Sequence, residues 1–147
     1  MAAHESSLNS VYTQQMEQVS PLYDLFELII CNFDELKTLC NLYLSVGNEK
    51  SLVKFLSSSN PLFKDFRFNM INWLKNGDIH LSLKFSNSPN KYILLGVYRD
   101  ILSGCTIRQI EEVHHLSPRS IIRCKSICIN YLASSYNNLM MDCKHIA

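Results

Sequence analysis

The sequence predicts a mostly α chain in which a C-terminal four-helix domain with a helix-turn-helix follows a small α+β N-terminal region holding a β-hairpin. Three observations predict it. Apolar residues recur three and four apart through most of the chain, the spacing that lines one face of a helix. Residues 78–85, DIHLSLKF, break that rhythm and alternate strictly, directly after Asn76-Gly77, the strongest short hairpin signal. Two helix starts, at Thr106 and Ser117, lie eleven residues apart, which leaves room only for a short helix and a tight turn.

Residues 1–20 are polar, with Leu8, Val11, Tyr12 and Met16 able to line one short helix at most, and read as a loosely ordered leader. Residues 21–86 read as a small interaction or dimerisation region. Leu22, Leu25, Phe26 and Ile29 make one helical stripe; after a break near Asn32, Leu36, Leu39, Cys40 and Tyr43 make another. Gly47-Asn48 stops that second helix. Leu52, Val53, Phe55 and Leu56 bury a third before the breaker run Ser57-Ser58-Ser59-Asn60-Pro61. Ile79, Leu81, Leu83 and Phe85 alternate with Asp78, His80, Ser82 and Lys84, so 78–85 is expected to pair with 66–75 as a hairpin. The competing reading is a helix from Pro61 to Lys75 closed by Asn76-Gly77.

The small polar run Ser86 to Asn90 marks a boundary, and 90–147 forms the second domain. A helix over 91–103 carries Tyr92, Leu95, Tyr98 and Leu102 on one face. Gly104 can take the left-handed conformation that closes it, and Thr106 can cap the next helix. Ile107, Ile110 and Val113 form the apolar stripe of that short helix. Ser117 caps the following one, with Pro118 where its missing N–H costs nothing. Ile121, Cys124, Cys128 and Leu132 form its stripe. Ser134-Ser135 is expected to break the chain before a last helix with Tyr136, Leu139, Met140 and Cys143.

This arrangement leaves Arg119, Ser120, Arg123 and Lys125 to face outward near the start of the helix 117–131. Arg and Lys neutralise phosphates, and Arg bonds the O6 and N7 edge of guanine in a bidentate way. The helix start adds partial positive charge where a phosphate would lie. Double-stranded DNA is therefore the expected partner. Arg119 and Arg123 are candidates for base-edge or phosphate contacts, as is Ser120. Thr106 and Lys125 are candidates for phosphate contacts, and Ser117 is a further DNA-binding candidate.

The run G-x-T-x-x-Q-I, five residues, then L-S-x-R-S-I-x-x-x-K-S and Leu132 resembles the C-terminal DNA-binding domain of LuxR-type (GerE-like) bacterial transcription regulators. Gly104, Thr106, Gln109, Ile110, Leu116, Ser117, Arg119, Ser120, Ile121, Lys125, Ser126 and Leu132 carry the likeness, within residues 90 to 143. Fainter likenesses run to PapB-type fimbrial and TraJ-type conjugation regulators. The LuxR resemblance implies a sequence-specific transcription regulator acting as a homodimer, with the helix 117–131 in the major groove. It also implies pairing through the last helix, where Leu139 and Met140 are the candidates.

Charge agrees in sign. Residues 1–88 hold seven basic and nine acidic side chains, while 89–147 hold seven basic and four acidic, so the positive balance falls with the proposed reader. The six cysteines form no C-x-x-C pair, no secretory signal precedes them, and 21–31 is too short and too charged to span a bilayer; reduced thiols in the cytoplasm are the simplest expectation. Cys124 and Cys128, one turn apart, raise the idea of a metal site with His114, His115, Cys143 or His145, but they lie on the apolar stripe and read as core. No enzyme signature, cofactor motif or small-molecule effector is evident, and no metal is expected. The alternative is an adaptor that docks another transcription regulator through a degenerate helix-turn-helix, because Glu111 and Glu112 beside the groove would repel phosphate.

Overall fold

A computed structural model describes residues 19–146, with side chains to residue 142. Among the described residues there are eight α-helices and no strand: α1 (Tyr23–Cys31), α2 (Phe33–Val46), α3 (Glu49–Ser59), a 3-10 turn (Pro61–Asp65), α4 (Phe68–Lys75), α5 (Gly77–Lys84), α6 (Lys91–Leu102), α7 (Ile107–His114) and α8 (Pro118–Ile146). Residues 1–18 of the expected leader and the side chains of Cys143 and His145 lie outside the described residues.

The first three helices follow their sequence signals. Leu25, Phe26, Ile29 and Ile30 are buried along α1, and Asn32 interrupts the helix at φ −126°. α2 begins with Asp34 and Glu35 in its first turn, where carboxylates favour the helix dipole. It ends at Gly47, whose φ of +72° only glycine adopts freely. Asn48 then caps α3 by accepting a hydrogen bond from the Ser51 N–H at 3.1 Å. The breaker run is shorter than expected: α3 continues through Ser59, and Asn60 caps the 3-10 turn with Pro61 in its first position.

The expected hairpin is absent, and two helices take its place. Asn76 has φ −95° and ψ 14°, and Gly77 starts α5. The strict alternation of 79–85 divides between the two sides of a helix. Leu81 and Phe85 point inward, one turn apart, in line with Gly77, whereas Ile79 and Leu83 point outward. A two-stranded hairpin has little stability without a further layer, whereas the two helices gain tertiary contacts that use their polar atoms. The Trp73 indole N–H donates to the Leu132 carbonyl at 2.9 Å, its ring stacks on His80 at 3.9 Å, and the Tyr98 hydroxyl donates to the Leu74 carbonyl.

α8 is the axis of the molecule. Its 29 residues span about 43 Å at 1.5 Å each. Ile127, Cys128, Ile129 and Asn130 are all buried, so the helix is covered on every side there. α1 covers one flank, where the Ser20 N–H donates to Asn130 Oδ1 at 2.9 Å and Phe26 meets the Tyr136 ring at 5.5 Å. α6 covers another, with the Cys128 thiol facing the Leu94 carbonyl. The expected break at Ser134-Ser135 does not occur. Serine is only a mild helix breaker, and Tyr131, Ala133 and Tyr136 are held on either side: Tyr131 packs edge-on to Phe85, and Tyr136 meets Phe26 and Trp73 and bonds Asn69.

Burial pushes the thiols upward, Cys40 to about 11 and Cys124 to about 12, and it holds Cys128 well above the ordinary thiol range. For Cys40 the Glu49 carboxylate adds to burial, and for Cys128 the neighbouring Cys124 does. These thiols therefore stay neutral in the fold while unfolded thiols ionise near 9.0. Their contribution to stability is complete below pH 9 and is lost as pH rises through the folded values. Urea midpoints measured from pH 8 to pH 11 should fall steadily above 9. A midpoint unchanged over that range would show that these thiols are not held neutral.

Candidate nucleic-acid interface

The reading unit runs from the end of α6 to the first turns of α8, and each boundary has a local cause. α6 closes at Gly104, φ +85°. Thr106 and Gln109 form a reciprocal capping box: the Gln109 N–H donates to Thr106 Oγ1 at 3.2 Å, and the Thr106 N–H donates to Gln109 Oε1 at 2.8 Å. Such a cap contributes about 1 kcal/mol. α7 ends at His115, the one non-glycine residue with positive φ (54°) among the described residues, which turns the chain toward α8. Ser117 caps α8, its Oγ accepting from the Ser120 N–H at 3.2 Å.

The inward face of α7 differs from the expected stripe. Ile110 is buried, but Ile107 is 42% and Val113 66% exposed. Instead, His114 sits one turn from Ile110, against Gly96 of α6. A Cβ added at Gly96 would lie 2.7 Å from His114 Cε1, so that glycine makes room for the ring. Asp100 satisfies its polar edge, with Oδ2 at 2.7 Å from Nε2. Together with Leu116, these contacts set α7 on α6 and α8.

The expected contact residues separate into two groups. Arg119 is exposed and Arg123 half-buried, one turn apart at the amino-terminal end of α8, and neither enters an ion pair among the described residues. Thr106 is exposed at the start of α7, and Ser117 is half-buried at the start of α8. Ser120, expected outward, is buried at 1% exposure and receives the Ser117 hydroxyl at 3.1 Å. The i, i+4 ladder Ser120, Cys124, Cys128 carried that information: serine continues the stripe of the buried cysteines. Lys125, also expected outward, turns toward α1 and pairs with Glu27 at 3.6 Å. That pairing depends on how α1 lies on α8, and no local signal announces it. Leu139 is 43% exposed, while Met140 packs against the core; both belong to α8 rather than to a separate helix.

Two features escaped the sequence reading. Ile122, half-exposed, shares the outward stripe with Arg119 and Arg123. With Ile101, Ile107 and Ile121 it lines an open groove of about 250 Å³ beside Lys125. The exposed Arg108 is also part of this unit and pairs with Glu112 at 3.8 Å, so one of the two carboxylates suspected of repelling phosphate is matched by a cation.

No group of His, Cys, Asp and Glu among the described residues could hold a metal ion, and no described helix is long and apolar enough to cross a membrane. Comparison with family models, curated proteins and solved structures gave no match.

Proposed function

We propose that this chain is a sequence-specific DNA-binding transcription regulator of the cytoplasm that lays the first turns of α8 in the major groove, as a dimer reading two half-sites about one turn of DNA apart. The observation that carries the reading is the pair of Arg119, exposed, and Arg123, half-buried, one turn apart and without ion-pair partners among the described residues, at the helix end whose backbone N–H groups attract phosphate. The capped α7, the left-handed turn at His115 and the start of α8 at Pro118 support it, since that order matches the spacing of a LuxR-type reading head. Burial keeps Ser120, and the ion pair with Glu27 keeps Lys125, out of the DNA-facing surface. Leu139 is the residue of choice for pairing two copies.

Fluorescence anisotropy with a labelled random-sequence duplex, at low and then physiological salt, tests this reading. Wild type should bind with a steep loss of affinity as salt rises. Arg119→Ala/Arg123→Ala should weaken binding by roughly 1–3 kcal/mol. Absence of binding at low salt would sink the proposal. A second reading, docking of another regulator, is favoured by the exposure of Ile107, Val113 and Ile122 around the same unit. It predicts an interaction insensitive to salt and weakened by Ile122→Asp.

A further inference from the structure

The first 88 residues carry a net negative charge, yet four of their seven cations gather at one place. Lys50 and Lys54 lie one turn apart on α3, Lys64 follows on the 3-10 turn, and Arg67 precedes α4. All four line a single groove of about 380 Å³. Lys50 and Lys54 form the like-charge spacing that weakens a helix, and none of the four enters an ion pair among the described residues.

Only two carboxylates, Glu49 and Asp65, line the same groove. Glu49 is already engaged, because its Oε1 accepts the Phe68 N–H at the start of α4 at 3.0 Å. The groove thus keeps two more positive than negative charges, with Val53 and Phe66 as its apolar wall. Crowded cations that form no ion pair among the described residues repel one another, and an external anion would relieve that repulsion. The volume lies within the range of small-ligand sites, and its concave form between α3 and the 61–67 segment suits a compact anion better than a nucleic-acid duplex.

We propose that this groove binds a small molecule carrying two or more phosphates, with Lys50, Lys54, Lys64 and Arg67 as its phosphate ligands. Arg67 is suited to bidentate contact with one phosphate, and the lysines supply point charges to the others. The site is separate from the amino-terminal end of α8, so it would make the chain responsive to a phosphorylated effector whether or not that end reads DNA.

Isothermal titration of the full chain with inorganic pyrophosphate and with adenosine triphosphate, at low salt, tests the site. Wild type should bind both, with Kd below about 1 mM. Lys54→Gln/Arg67→Gln should bind about tenfold more weakly or worse, as expected on losing two charge-assisted contacts. Arg119→Ala/Arg123→Ala should bind as wild type does. No binding of either anion by wild type overturns the proposal. Undiminished binding by Lys54→Gln/Arg67→Gln also overturns it, and so does a loss confined to Arg119→Ala/Arg123→Ala, which would put the anion on α8. Thermal melting by circular dichroism checks that each variant folds, and Lys50→Gln/Lys64→Gln, two exposed positions, provides an independent pair with the same expected loss.

Discussion

Phe26→Ala is expected to lower the unfolding free energy by about 3–5 kcal/mol, the cost of losing a large ring from a closed core. Phe26 has no exposed surface and lies 5.5 Å from the Tyr136 ring, where α1 meets the far half of α8. Tyr136 in turn faces Trp73 of α4 at 6.0 Å, so the ring is the first of three that tie α1, α8 and α4 together. Its removal leaves a space within a buried cluster that also holds Leu25, Ile29 and Ile30. Urea denaturation measures the loss. Phe26→Leu, which keeps most of the volume, should cost well under half as much; equal costs for the two substitutions would show that the ring does not close this core. Because a domain of this kind has only about 5–15 kcal/mol to lose, the milder variant also keeps the comparison measurable if the alanine variant unfolds.

Gly77→Val is expected to cost about 3–4 kcal/mol, combining overpacking with disruption of a buried hydrogen bond. The backbone at Gly77 has φ in the ordinary range, so the requirement is for space rather than for a special conformation. A Cβ placed there would lie 2.7 Å from Tyr98 Cζ and 3.0 Å from Leu132 Cδ1. Tyr98 cannot retreat, because it is buried and its hydroxyl is bonded to the carbonyl of Leu74, the penultimate residue of α4. Gly77→Ala meets the same clash but gains up to about 1 kcal/mol of helix propensity, and should cost about 1–2 kcal/mol. The pair of substitutions also tests the structure against the hairpin expected from sequence. In a type I′ turn Gly77 would be needed for its positive φ, and Asn would be tolerated there as well as in any turn. In the helical arrangement Gly77→Asn should be as harmful as Gly77→Val, and a neutral Gly77→Asn would favour the turn.

Much of the helical order was legible because its signals are local. Gly47 and Gly104 end helices by positive φ, Thr106 and Ser117 cap helices through their own side chains, and the spacing of Leu25, Phe26 and Ile29 marks a buried face within a single helix. The start of the reading unit at Thr106 and of α8 at Pro118 was legible for the same reason. Arg119 is exposed and Arg123 half-buried, and neither is drawn into an ion pair among the described residues.

Residues 66–85 were misread because their local pattern satisfies a strand as well as two short helices, and period alone does not distinguish them. The choice was made by partners far along the chain: Leu132 for Trp73, Tyr98 for Leu74, and the space at Gly77 that lets Tyr98 through. Ser134-Ser135 failed as a break for a similar reason, since the aromatic contacts of Tyr131 and Tyr136 outweigh a mild propensity penalty. Lys125 joined Glu27 because α1 lies along α8, and four separated cations met in one groove because α3 is folded against residues 61–67. The sequence by itself thus determined the helix boundaries at Gly47, Gly104, Thr106 and Ser117 and the apolar face of the first helices, since caps, positive φ and periodicity act within a few residues. Only the tertiary structure decided which ambiguous segments became helices and which charged groups face solvent, because desolvation and side-chain pairing depend on neighbours brought together by folding.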